Sequence, residues 1–230
     1  MKKPQANREE KQDAQMKSTA IYGRLHRLLA RFFLRLFRVR VHFADREPAD
    51  HNYLLCCNHI SAVDPILLAA AAHRQQPHFM AKKELFKIPL LAGLIRTLGA
   101  FPVDRTGDVG AIKTSIGLLE SGKCVGIFPQ GTRCSGKSPR ESADRVKNGA
   151  GLLIHKTGVT VLPACLKTKK NKLRLFRRVD LIIGEPIPYE VLTEGIDPAT
   201  MTHQALYSHI SHIVFEHICA LYEEAEGQDG

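Results

Sequence analysis

The order of apolar runs predicts an α/β fold with a largely parallel central sheet and flanking helices. Three observations predict it. Strand-length apolar runs alternate with segments of helical periodicity, which favours parallel strands joined by helices. The run Tyr53-Leu54-Leu55-Cys56-Cys57 leads through a short loop into Pro65 and the helix formers Ile66 to Ala72, a strand–loop–helix unit. The chain has 230 residues and 44% hydrophobic content, enough for one α/β domain with a real core. There is no internal repeat.

Residues 1–16 are polar and charged and read as a disordered tail with no signal peptide. Residues 17–38 read as an amphipathic helix. Arg24, Arg27, Arg31, Arg35 and Arg38 step by three and four and form a stripe roughly 80° wide. Ile21, Leu25, Leu28, Leu29, Phe32, Phe33, Leu36 and Phe37 cover the other side. An almost purely cationic polar face fits a helix lying in a membrane interface. The alternative is a surface helix packed on its own domain, where the signs of charge usually mix. No segment reaches the roughly 20 apolar residues of a membrane span.

The domain proper is expected over residues 39–225, with a disordered end at 226–230. Arg40 to Asn52 reads as strand and turn, and His78 to Ala81 as a strand. Lys82 to Leu98 reads as helix broken near Pro89. Ala100 to Val103 is a strand ending at Asp104-Arg105. Asp108 to Glu120 carries Val109, Ile112, Ile116 and Leu119 at helical spacing. Lys123 to Phe128 is a strand whose end carries Gln130-Gly131-Thr132-Arg133. Ser135 to Arg145 reads as a surface loop. Gly149 to Lys156 is a helix and Val159 to Leu166 a strand. Leu173 to Phe176 and Val179 to Ile183 are strand candidates. Met201 to Tyr222 is a closing amphipathic helix.

On this reading His59, Arg105 and Arg133 all follow strand ends, and parallel strands bring them to one edge, where open sheets bind ligands. His59 and Asp64 are five residues apart across a short loop. An Asp that holds one ring nitrogen leaves the other free as a general base, so a substrate hydroxyl can be activated without a Ser or Cys nucleophile. The plainer alternative is an N-cap, Asp64, followed by Pro65. The arginines suit bidentate phosphate binding, although Arg105 beside Asp104 also fits a surface ion pair. Lys147, before Asn148-Gly149-Ala150, adds a cation next to a helix amino end, itself favourable to anions.

Four blocks carry a resemblance: Asn58-His59-Ile60-Ser61-Ala62-Val63-Asp64-Pro65, Gly99 to Arg105, Phe128-Pro129-Gln130-Gly131-Thr132-Arg133 and Val159 to Pro163. In order and spacing they resemble the glycerophospholipid acyltransferase family, which includes the 1-acylglycerol-3-phosphate acyltransferases. The resemblance runs from about Val39 to Ile187. The third block departs from the family pattern, which has Glu where this chain has Gln130.

The resemblance implies transfer of a fatty acyl group from a thioester donor, acyl-CoA or acyl-carrier protein, to the free hydroxyl of 1-acylglycerol 3-phosphate. It implies His59 as base with Asp64 orienting it. Arg105, Gln130, Gly131, Thr132, Arg133 and Lys147 would surround the acceptor phosphate and glycerol. Asn58, Ser61 and Pro163 would support them. No metal and no bound cofactor is implied. Another lysolipid or a glycerol phosphate remains an open acceptor, and Gln130 raises that question.

The net charge of +10 is concentrated. Lys17 to Arg38 holds six Lys or Arg and no acid, and Lys167 to Arg178 holds seven and no acid. Such clusters suit an anionic membrane surface, nucleic acid or an acidic carrier protein, or simply make a solvated basic face. With no Trp and five Tyr, and no nucleic-acid motif, nucleic acid is disfavoured. A non-catalytic basic module would leave the four ordered blocks unexplained. The six cysteines show neither metal spacing nor a disulfide framework, which predicts a reducing compartment. Cys57 and Cys134 lie near the motifs, but no basic partner is tied to either. The expected placement is peripheral or monotopic on the cytoplasmic side of a membrane.

Overall fold

The computed structural model describes residues 28, 30–103, 109–196 and 200–227. Seven strands form one sheet: β1 (Val39–His42), β2 (Tyr53–Cys57), β3 (Pro77–Lys82), β4 (Phe101–Val103), β5 (Cys124–Ile127), β6 (Thr160–Thr168) and β7 (Val179–Ile183). Their order across the sheet is β1-β7-β6-β2-β5-β3-β4. All neighbours are parallel except β6 and β7. The carboxyl ends of β6, β2, β5, β3 and β4 therefore share one edge.

The described helices are α1 (Asp64–Ala71), α2 (Pro89–Thr97), α3 (Val109–Glu120), α4 (Gly149–Thr157), the short α5 (Tyr189–Leu192) and α6 (His203–Gly227). Residues 30–36 are also helical. The two faces of the sheet build two cores. Leu54 and Cys56 point to one, with Leu153 and Ile154 of α4 and Ile210, Val214 and Ile218 of α6. Tyr53, Leu55 and Cys57 point to the other, with Leu67 and Leu68 of α1 and Phe37. All five residues of β2 are buried, as expected for a strand covered on both faces.

The packing of α4 on α6 depends on Gly151. A Cβ there would overlap the Tyr207 backbone, and Ser211 Oγ accepts from the Gly151 N–H at 2.8 Å. That bond satisfies one of the early amides of α4, which have no partner within their own helix.

Several expectations are corrected. Leu173–Phe176 is not a strand. Lys170, Asn171 and Phe176 have positive φ, so the backbone turns repeatedly, and the sheet edge beside β7 is already filled by β1. Ser135 to Arg145 is not wholly irregular, since Arg140–Arg145 forms a short 3-10 helix. In α3 the buried positions are Ala111, Ser115 and Leu119, while Val109 is exposed. The helix expected over residues 17–38 lies mostly outside the described residues. In its described part, Phe33, Leu36 and Phe37 pack on the domain, whereas Leu28 and Phe32 are exposed. The two readings of that helix are thus divided between two of its faces. No helix among the described residues is long and apolar enough to cross a membrane.

Candidate active site

The chain leaves β2 through Asn58, which is buried. Its Oδ1 accepts from the Leu166 N–H at 2.7 Å and its Nδ2 donates to the Leu166 carbonyl at 3.0 Å. The side chain takes the place of a ladder partner where β2 separates from β6, so the backbone can turn without losing its hydrogen bonds. His59 is then pinned through its main chain. Its N–H donates to Gln130 Oε1 at 2.6 Å, and its carbonyl accepts from the Cys134 N–H at 2.7 Å. The turn after β2 is thereby tied to the turn after β5.

Asp64 is fully buried, and its Oδ2 collects three contacts. His59 Nδ1 lies at 2.8 Å, the Ile60 N–H at 2.6 Å and the Ser61 N–H at 2.7 Å. The position before the first helical residue is Val63, so Asp64 is not the N-cap expected from its place before Pro65. Its carboxylate reaches back to the preceding loop instead. A carboxylate on Nδ1 selects the tautomer with the proton there and leaves Nε2 with a lone pair. The ring is further fixed by stacking on Phe128, with centroids 4.0 Å apart and planes 16° apart. Phe128 in turn lies 5.7 Å from Phe79. Phe79 has room because residue 126 is glycine; a Cβ at that point would overlap its ring.

Two cavities meet at His59, Phe79 and Met80. The larger, about 500 Å³, is lined by apolar side chains that include Ile66, Leu85, Leu91, Ile95 and Leu98, with Arg133 among the lining residues. The smaller, about 260 Å³, is lined by Phe128, Pro129, Gly131, Lys147, Gly149 and Ala150. Its wall combines a cation with the amino end of α4, where amides and helix dipole favour an anion. Gly131 sits at φ 64°, and a Cβ there would meet Lys147 Cγ at 3.1 Å. The left-handed turn and the close approach of Lys147 both suit glycine.

The site residues expected from sequence separate into groups. His59, Arg133, Gly131 and Lys147 face the cavities. Thr132 is exposed on the same turn. Arg105 lies outside the described residues. Gln130 is 1% exposed and does not face a cavity. Its Oε1 holds His59 and its Nε2 donates to Ser142 Oγ at 2.7 Å. Ser61 Oγ accepts from the Val63 N–H at 3.3 Å, bracing the turn. Pro163 lies inside β6 opposite Cys56 and lines neither cavity. Sequence reasoning missed Phe79, Phe128, Gly126 and Ser142. An isolated glycine inside a strand pattern signals close approach, and Gly126 offered that signal.

Cys57 and Cys134 are both buried and free. Burial pushes the Cys57 thiol well above its ordinary value, which disfavours the thiolate a nucleophile requires. Among the described residues no group of three or more His, Cys, Asp or Glu is placed to hold a metal ion.

An oriented imidazole shared by an apolar cavity and a cationic cavity suits proton removal from an amphiphile that carries an anion. Comparison with known proteins supplies the class. The acyltransferase family model matches residues 38–167, more than half of the chain, and the chain belongs to that family. It is an O-acyltransferase by that membership. A 1-acyl-sn-glycerol-3-phosphate acyltransferase of Bacillus subtilis is 37% identical over 152 residues, covering 65% of this chain and 73% of that protein. One of the same name from Streptococcus pneumoniae is 36% identical over 151 residues, covering 64% of this chain and 54% of that protein. The crystal structure of the 1-acyl-sn-glycerophosphate acyltransferase PlsC from Thermotoga maritima aligns with a TM-score of 0.62 at 27% identity. It covers 88% of this chain and 79% of that one.

Proposed function

We propose that this chain moves a fatty acyl group from a thioester donor, acyl-CoA or acyl-carrier protein, to the free hydroxyl of 1-acylglycerol 3-phosphate, giving phosphatidic acid. The observation that carries the reading is the place of His59, held by Asp64 through Nδ1 at the junction of an apolar and a cationic cavity. The acceptor hydroxyl gives its proton to His59 Nε2 as its oxygen attacks the thioester carbonyl. The tetrahedral intermediate collapses with cleavage of the C–S bond. The imidazolium returns the proton to the departing thiolate, so a free thiol leaves. Asp64 keeps the tautomer and stabilises the imidazolium, as a carboxylate does for the base of a hydrolase triad.

The large cavity suits an acyl chain by its lining, and Arg133 stands where the chain meets the polar end. Lys147 and the amino end of α4 suit the acceptor phosphate, and the family resemblance adds Arg105 and Thr132. Gln130 acts beneath this layer. Because its amide is buried against His59, its replacement of the family's Glu changes how the base is held rather than what lines the acceptor cavity. That favours lysophosphatidate over an altered acceptor. The basic, amphipathic sequence of residues 17–38 supports a peripheral position on the cytoplasmic face of an anionic membrane.

The test is a panel of acceptors against both donors, followed by thiol release and product mass. Phosphatidic acid formed only when lysophosphatidate is present is the expected result. Equal or faster acylation of glycerol 3-phosphate would replace the acceptor assignment. Within the panel, Arg105→Ala should lower kcat/KM for lysophosphatidate by about one to two decades, the loss of a charge-assisted hydrogen bond. Turnover of monoacylglycerol should hardly change. An equal loss on both acceptors would remove Arg105 from the phosphate.

A further inference from the structure

The connection from β6 to β7 begins at the same sheet edge as His59. It contains Lys169, Lys170, Lys172, Arg174 and Arg177, all exposed, and none of these side chains makes an ion pair or hydrogen bond among the described residues. Between them Leu175 is 55% exposed and Phe176 67% exposed. Phe176 has φ 59°, a conformation that a bulky residue adopts only when its surroundings enforce it.

The surroundings do enforce it. Thr168 Oγ1 donates to the Arg178 carbonyl at 2.8 Å and closes the base of the connection. The buried Asn171 donates to Tyr222 Oη of α6 at 3.0 Å. The Asn171 carbonyl accepts from the Gly136 N–H at 2.8 Å, and the Phe176 N–H donates to the Leu36 carbonyl at 2.9 Å. That last bond joins the loop to the N-terminal helical segment, on which Leu28 and Phe32, one turn apart, are exposed. A braced loop thus displays an apolar tip among cations, continuous with a second apolar and cationic face. Of the acids nearby, Asp180 is paired with His42 and Arg178, and Glu226 lines the adjoining groove.

We infer that the 169–177 loop is a second membrane-docking element, which inserts Leu175 and Phe176 into the interface of an anionic bilayer while its Lys and Arg side chains meet the headgroups. This rests on the reading that the acceptor and product are bilayer lipids. The occupant follows from the chemistry: apolar side chains flanked by unpaired cations match an acyl region under anionic headgroups. The loop and the cavity mouths lie at one edge, so docking would bring the cavities to the lipid. The Asn58–Leu166 contact ties the last residues of β6, from which the loop leaves, to the start of the His59 turn.

The chain contains no Trp, so Phe176→Trp installs the only indole. With vesicles of phosphatidylcholine containing about one-quarter phosphatidylglycerol, its emission should shift to the blue and be quenched by quenchers placed in the acyl region. Unshifted emission from protein that floats with the vesicles overturns the inference. Neutralising Arg174 and Arg177 to Gln should weaken partitioning about fivefold for each charge. Leu175→Ser with Phe176→Ser should weaken it at least about a hundredfold. Turnover of a short-chain, monomeric lysophosphatidate should be unchanged in these variants, which also reports their folding. Variants that float like the wild type but lose transfer from acyl-carrier protein alone would make the loop a carrier-protein dock and overturn the inference. If the Phe176→Trp protein shows the indole shift but neither it nor the wild type turns over the monomeric acceptor, the surface stands and the assigned reaction fails. Turnover of that acceptor without the shift leaves the reaction standing and overturns the docking loop.

Discussion

At the scale of single residues, Gln130 separates holding the base from doing the chemistry. Its Oε1 takes the His59 N–H, and its Nε2 engages a Ser142 hydroxyl that also lies within reach of the Ser138 and Pro139 carbonyls. Gln130→Leu leaves the His59 N–H without its acceptor, at about 1–3 kcal/mol, while the Ser142 hydroxyl keeps the Ser138 and Pro139 carbonyls. The variant should therefore melt lower and turn over more slowly through a displaced His59. Gln130→Glu keeps the acceptor for His59 and still accepts from Ser142 once that hydroxyl rotates, so it should retain most of the activity. A Leu variant as active and as stable as wild type would show that the contact is incidental. Asp64→Asn tests the next contact. It keeps the size of the side chain but removes the charge facing the imidazolium, and kcat should fall by about two to four orders of magnitude. Loss of stability without loss of rate would reduce Asp64 to bracing the turn.

At the scale of elements, two glycines set how surfaces meet. Gly126 lets the Phe79 ring lie across β5, beside the Phe128 ring that stacks on His59. Gly126→Ala should push that stack aside, costing about 1–3 kcal/mol of stability and some rate through the tilt of His59. Gly151→Ala forces α4 off α6 and should cost stability at least as great. The site geometry depends less directly on that crossing, so thermal melting and kcat should respond differently to the two substitutions. An unchanged melting temperature in either variant would contradict the packing described.

Much of this level was legible in the sequence. β2 shows as an unbroken apolar run because both its faces are covered, and β7 is bounded as expected at Val179 and Ile183. The turn motifs stand at strand ends because short loops leave the chain little freedom. What was not legible depended on tertiary contacts. Leu173–Phe176 has strand composition, yet Asn171 and Tyr222 hold its entry in a turn. The buried role of Gln130 is invisible in a motif whose next three residues are exposed, because the His59 turn and the return of the 138–142 segment cover it. The overlap of Phe79 on Gly126 could be suspected from an isolated strand glycine, but its partner could not.

At the scale of the whole molecule, the sheet brings a proton acceptor, an apolar cavity and a cationic cavity to one edge. The N-terminal segment adds a surface to that edge. Removing residues 1–27 should lower flotation with anionic vesicles, since it deletes Arg24 and Arg27 with Ile21 and Leu25. A longer deletion through Arg38 should also destabilise the domain, because Phe37 is buried in one of its two cores. Vesicle binding unchanged by the shorter deletion would leave the described surface alone responsible for docking.

The central claim is that His59 is the base for acyl transfer to lysophosphatidate. The most direct measurement is lysophosphatidate-dependent thiol release from acyl-CoA by His59→Gln, taken with its melting temperature. Glutamine can still donate to Asp64, so the fold should be kept. A rate lower by about 10²- to 10⁴-fold with near-wild-type melting is the predicted result. A folded His59→Gln protein that turns over within about tenfold of wild type would contradict the account, because a positioned base contributes more than that.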